Sequence, residues 1–198
     1  HRRSSLVVPL LAALAAACAS SPGADPAATP ETAVRGTTAS ADQPWPVKTR
    51  YAADLWLHGY GMLLQDTSRI PLFARDYRDR MVVRKNQSNV TTMLDANREQ
   101  LARRLQSSTA LQGSQFLALY FGTWDQLKEA IDLFQRAEGD PRRASNQGTA
   151  QLLALLAANF PTAADREWLR LFAASLDDES EKFYESYWTQ VQRERSAV

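Results

Sequence analysis

The sequence predicts an all-α domain of about six or seven helices, on three observations. Apolar residues recur at helical spacing after Trp45-Pro46. Glycine and proline are sparse over the same stretch. No segment shows the apolar–polar alternation of a half-buried strand.

Tyr51 to Gln65 is the first helical stretch, with Leu55 and Met62 on one side. Gly59-Tyr60-Gly61 weakens it, by around 1 kcal/mol per glycine relative to alanine. Two glycines so close mark a kink or a tight helix contact. The second stretch, PLFARDYRDRMVVRKNQ, carries Arg75/Asp79 and Asp76/Arg80, each four apart and so side by side on a helix. Asn86 to Thr92 is a polar break. Its Asn86-Gln87-Ser88 and Asn89-Val90-Thr91 triplets have the N-x-S/T form, and a polar loop is the simpler reading of them.

TMLDANREQLARRLQSS follows, with Leu94, Leu101 and Leu105 on a stripe, and then TALQGSQFLALYF, expected to be mostly buried. Thr123-Trp124-Asp125-Gln126 is a capping-box pattern. It opens a helix whose buried face is Leu127, Ala130, Ile131 and Phe134. Gly139 should stop that helix, and Asp140-Pro141 should start another. TAQLLALLAANF is a strongly apolar helix ended by Phe160-Pro161. From Thr162 the longest segment reaches about Arg195, with Trp168, Phe172, Leu176, Phe183, Tyr187 and Val191 on one stripe.

The N-terminus reads differently. Two arginines precede Leu6 to Ala17, an apolar run of 12 residues. A bilayer-spanning helix needs about 20, so the run suits the core of a signal peptide. Leu14-Ala15-Ala16-Ala17-Cys18 resembles the bacterial lipobox, in which small residues precede a cysteine that becomes the lipidated N-terminus. It departs from that pattern at Ala15, where leucine is usual. Residues 1–18 are therefore expected to be a signal segment, with lipidation at Cys18, the chain's only cysteine. Residues 19–44 contain no aromatic residue and Val34 as their one large aliphatic, a composition expected to form a disordered tether. The resemblance implies a membrane partner through the N-terminal lipid. Ala19, rather than Asp, follows the cysteine, which implies the outer membrane of the bacterial envelope, facing the periplasm. Cleavage by the general signal peptidase, giving a soluble periplasmic or secreted protein, is the alternative.

The helical domain is assigned to residues 45–198, which carry 20 of the 23 basic and 19 of the 22 acidic residues. So even a balance gives no nucleic-acid footprint. No cofactor, metal or catalytic motif is evident. His58 is the domain's only histidine, and Asp54 lies four residues earlier on the same helix face, so the two form a candidate polar pair. A structural contact is the simpler reading, since no HExxH or further histidine accompanies it. The acids of DDESEKFYE lack the glycine turn of a calcium loop and are expected to be a solvated face. The aromatic pairs Phe183/Tyr184 and Tyr187/Trp188 are too wide for one narrow stripe, so some should face a partner or another part of the protein. Residues 114–141 resemble a single tetratricopeptide unit at Leu117, Ala118, Phe121, Ala130, Phe134 and Ala137. They depart from it at Ser114 and Pro141, and no second copy lies 34 residues away.

The functional expectation is an exported, lipid-anchored helical binding or scaffold domain without catalytic residues of its own, whose protein partner the sequence does not name. The alternatives are the non-catalytic N-terminal half of a longer, peptidase-like envelope enzyme and a tetratricopeptide-like peptide binder.

Overall fold

In the computed structural model, residues 49–64 and 74–196 are described. The signal segment, Cys18 and the residues 19–44 lie outside them. The described elements are α1 (Tyr51–Leu63), α2 (Tyr77–Gln87), α3 (Met93–Ser107), a short α4 (Thr109–Gly113), a 3-10 helix (Ser114–Tyr120), α5 (Trp124–Arg136), a 3-10 turn (Pro141–Arg143), α6 (Gln147–Asn159), α7 (Ala163–Glu179), a π-helical turn (Ser180–Tyr184) and α8 (Glu185–Ser196). With α7, the π turn and α8 taken as one rod, these are seven α-helices, and no strand occurs among the described residues.

Four helices, α1, α3, α5 and α7, organise the core. The apolar stripe of α7 packs against α1, α3 and α5, and α1 in turn packs on α2, α3 and the 3-10 helix. Trp168, Phe172 and Leu176 of α7 are buried there with Leu94, Leu101 and Leu105 of α3 and Leu127, Ile131 and Phe134 of α5. These are the stripes that the 3.6-residue period picks out. Gly59 marks a tight helix contact: a Cβ there would sit 2.6 Å from Phe172 Cζ and 2.8 Å from Leu176 Cδ2.

Local signals fare well at several ends. Thr123 Oγ1 accepts from Gln126 N at 3.2 Å, while Thr123 N donates to Gln126 Oε1 at 3.3 Å, so the capping box forms. Asp76 and Arg80 pair at 3.3 Å, and Asp79 lies 3.7 Å from Arg78. Asn89, in the predicted break, takes the left-handed conformation (φ 52°) that asparagine tolerates. The stop near Gly139 is a double one. Glu138 N donates to Gln135 O and Gly139 N to Phe134 O, with both residues at positive φ, which closes the last carbonyls in a Schellman arrangement.

Elsewhere the structure departs from the sequence expectation. Asp140-Pro141 opens a single 3-10 turn, and the following helix is capped by Asn146, whose Oδ1 accepts from Thr149 N at 2.9 Å. The segment TALQGSQFLALYF is not mostly buried: Phe116, Leu119 and Tyr120 are 44%, 49% and 73% exposed. One face of the segment, Leu111, Ser114, Leu117, Ala118 and Phe121, packs inward, and the opposite face is left outside. Ser114, where a tetratricopeptide unit has a large aromatic, is a buried polar partner: its Oγ lies 2.6 Å from Tyr60 Oη, and its carbonyl accepts from Trp56 Nε1 at 3.0 Å.

Candidate functional site

α1 is apolar nearly all round, and ten of its thirteen residues are buried, so His58 is carried into the core with its neighbours. Burying imidazole is tolerable only if both ring nitrogens find partners. They do: Nδ1 lies 2.8 Å from Tyr77 Oη on α2, and Nε2 lies 3.0 Å from Glu179 Oε1 at the end of α7.

Chemistry fixes the proton positions. A carboxylate only accepts, so Nε2 carries the hydrogen and donates to Glu179. Burial pushes the His58 pKa below its ordinary value and outweighs the upward pull of Glu179, leaving the ring neutral. Nδ1 is then an acceptor, and Tyr77, whose phenol burial keeps protonated, donates to it.

Glu179 is the hub. Its Oε2 receives Lys85 Nζ at 2.7 Å and the hydroxyl of Thr92. Lys85 Nζ also reaches Thr92 Oγ1 at 2.9 Å and Asp95 Oδ2 at 2.5 Å, so its three ammonium donors meet three acceptors. Asp95 in turn accepts from Thr92 N at 3.0 Å and closes the start of α3. Burial alone would raise the Glu179 pKa. The donors from His58, Lys85 and Thr92 overcome it and hold the carboxyl below its ordinary range. The cluster thus ties α1, α2, α3 and α7 together through one carboxylate.

This overturns part of the sequence reading. Asp177, Glu181 and Glu185 are exposed, as a solvated face requires, but Glu179 in the same acidic run is 0% exposed. It lies three residues after Leu176 and four before Phe183, on the buried stripe rather than opposite it. Lys85 has the same signature, four residues after buried Met81. A charge on an apolar stripe was the available signal for both.

Asp54 lies one turn from His58, as expected, and both line one open cleft of about 330 Å³. Their hydrogen bonds go elsewhere, however. Asp54 Oδ2 accepts from Trp188 Nε1 at 2.9 Å, while His58 turns inward to Tyr77 and Glu179. The cleft walls are Tyr77, Tyr184, Tyr187 and Trp188, with Arg195 also lining it. Both C-terminal aromatic pairs thus contribute: Phe183 packs into the core and the other three rings border open space.

Among the described residues no three His, Cys, Asp or Glu side chains gather closely enough to hold a metal ion, and no helix is long and apolar enough to cross a membrane. No protein-family model, curated protein or solved structure matches the chain.

The cluster predicts acid sensitivity. For both His58 and Glu179 the folded pKa lies below the ordinary value, 6.5 and 4.5 respectively, so the unfolded chain binds more protons. Stability therefore falls as the pH drops, through His58 below 6.5 and then through Glu179 below 4.5. Urea midpoints measured between pH 8 and pH 4 should decline from about pH 6.5 downward. His58→Gln should flatten the upper part of that decline, and an unchanged slope in the variant would refute the assignment to His58.

Proposed function

We propose that the protein is a bacterial envelope lipoprotein whose helical domain binds a partner or ligand rather than catalysing a reaction. One observation carries the non-catalytic part of this reading. The domain's only histidine, the group best suited to proton transfer near neutral pH, has both ring nitrogens engaged inside a buried cluster. The matched donors and acceptors around Glu179 brace four helices, and the polar groups are spent on holding the fold. The aromatic cleft beside the cluster supports binding, since recognition sites are concave, aromatic-rich surfaces with a few polar groups.

The envelope part rests on the sequence. Leu14-Ala15-Ala16-Ala17-Cys18 resembles a lipobox, and the 26 residues from Ala19 to Pro44 have the composition of a leash between anchor and domain. A lipid anchor gains about 0.8 kcal/mol per buried CH₂, and stable attachment needs more than one acyl chain.

Growth of an expressing bacterium with radiolabelled palmitate tests this. The protein should become labelled and fractionate with the outer membrane, and Cys18→Ala should lose both properties while accumulating as precursor. Absence of label in the parent protein would refute the lipoprotein assignment.

A further inference from the structure

The cleft between α1 and α8 combines three features that the buried cluster does not use. The first is a pair of opposite charges without an ion-pair partner. Asp54 and Arg195 both line the cleft, yet neither forms a salt bridge with the other or with any other charge among the described residues. The second is the set of aromatic side chains that line the cleft together with Asp54, rings of the kind that attract a cation. The third is Tyr184. It is only 5% exposed, lines the cleft, and its hydroxyl makes no hydrogen bond among the described residues. The ring is buried but its oxygen is not among the buried atoms that lack a partner, so the hydroxyl opens toward the cleft. Its ring lies 6.0 Å from that of Tyr51, which packs at 5.3 Å on Trp188, the donor to Asp54, so Tyr184 stands toward the acidic end of the cleft.

Spacing gives the length of what fits. Trp188 marks the acidic end through its bond to Asp54 Oδ2. Arg195 is seven residues further along α8, two turns or about 10.5 Å along the axis on the same face. An extended peptide of two or three residues covers about 7–11 Å, and a volume of about 330 Å³ is that of a small-ligand site.

We propose that this cleft binds a short unblocked peptide of two or three residues, with its ammonium between the Asp54 carboxylate and the aromatic rings and its terminal carboxylate at Arg195. The Tyr184 hydroxyl contributes a donor and acceptor to the amino-terminal end of the peptide. Phenol and carboxylate together supply the polar contacts of that end, and the rings supply the apolar ones. This ligand class rests on the reading of the domain as a binding module.

Titration calorimetry of the full chain with trialanine tests the assignment, with N-acetyl-trialanine and trialanine amide as probes of each end. Trialanine should bind saturably, and each blocked form should lose about tenfold or more, because each lacks one charge-assisted contact. Asp54→Asn should weaken trialanine by a similar factor and make N-acetylation indifferent. Arg195→Gln should do the same for amidation, and Tyr184→Phe should weaken both trialanine and its amide. Arg195 is exposed, so its variant keeps the domain folded and the test does not depend on Asp54 being dispensable. Absence of binding at about 10 mM, blocked peptides binding as well as the free one, or tetramethylammonium binding more tightly than trialanine would each overturn the proposal. Palmitate labelling of Cys18 is read separately, so a labelled protein that ignores trialanine refutes the ligand and leaves the envelope assignment standing.

Discussion

Replacing Glu179 with alanine should lower folding stability by about 3–5 kcal/mol, as removal of one partner from a buried ion pair does. The substitution leaves Lys85 in the core with one carboxylate in place of two, and leaves the His58 Nε2–H without an acceptor. Against a total of about 5–15 kcal/mol for an ordinary domain, that loss brings the chain close to unfolding near body temperature. Glu179→Gln should fall between wild type and alanine, because the amide keeps the shape and some hydrogen bonds but not the charge. The informative control is the double variant Lys85→Met with Glu179→Leu. Removing both charges and refilling the volume should recover the part of the loss due to the unpaired Lys85, while the His58 Nε2–H stays without its acceptor. Urea unfolding of the four proteins checks this. A loss below about 1 kcal/mol in Glu179→Ala would mean that the pair behaves as a surface contact does.

That cluster is also where sequence reasoning fell short, for a physical reason. Periodicity locates faces, and it located those of α3, α5 and α7 correctly because their stripes are apolar over most of their length. It treats a charged residue as evidence for solvent. Glu179 stands at a stripe position and was read as surface, and Lys85 was not singled out, although their burial is made tolerable by each other, 94 residues apart in the chain. Such compensation is tertiary and leaves no local trace. His58 and Asp54 were legible as candidates because histidine is rare here and helix spacing is simple. Their real partners were not, since Tyr77, Glu179 and Trp188 come from three other places in the fold. The Phe116–Tyr120 error has a related origin: a segment apolar nearly all round gives periodicity no face to choose, and only the fold decides which side is left outside.

Phe172→Ala should cost a similar amount, about 3–5 kcal/mol, through lost burial and an imperfectly closed cavity. The ring is 0% exposed and packs at centroid distances of 4.6 Å from Trp168, 5.0 Å from Trp56 and 5.4 Å from Tyr60. Its edge also fills the space above Gly59, which makes a more discriminating experiment available. In an unencumbered helix, Gly→Ala gains around 1 kcal/mol. At Gly59 the added methyl meets Phe172 and Leu176 at under 3 Å, so the same change should destabilise by about 1–3 kcal/mol. In the Phe172→Ala background the methyl enters vacated space, and Gly59→Ala should become neutral or favourable. The two substitutions should therefore be non-additive by at least about 1 kcal/mol. Strict additivity in denaturant melts would show that the close approach of α1 and α7 is not what fixes glycine at this position.

The π turn between α7 and α8 holds a longer-range consequence. Such a turn is an α-helix with one residue too many, and each residue of an α-helix advances it by about 100°. The wider turn absorbs the surplus, so the residues beyond Ser180–Tyr184 keep nearly the facing of a regular helix one residue shorter. A one-codon deletion there, closing the turn to α, would leave the hub carboxylate in place and keep Tyr187, Trp188 and Arg195 toward the cleft they line with Asp54. Core and cleft thus tolerate the same single change of length: the π turn is a slack link that confines an insertion instead of passing it on to α8.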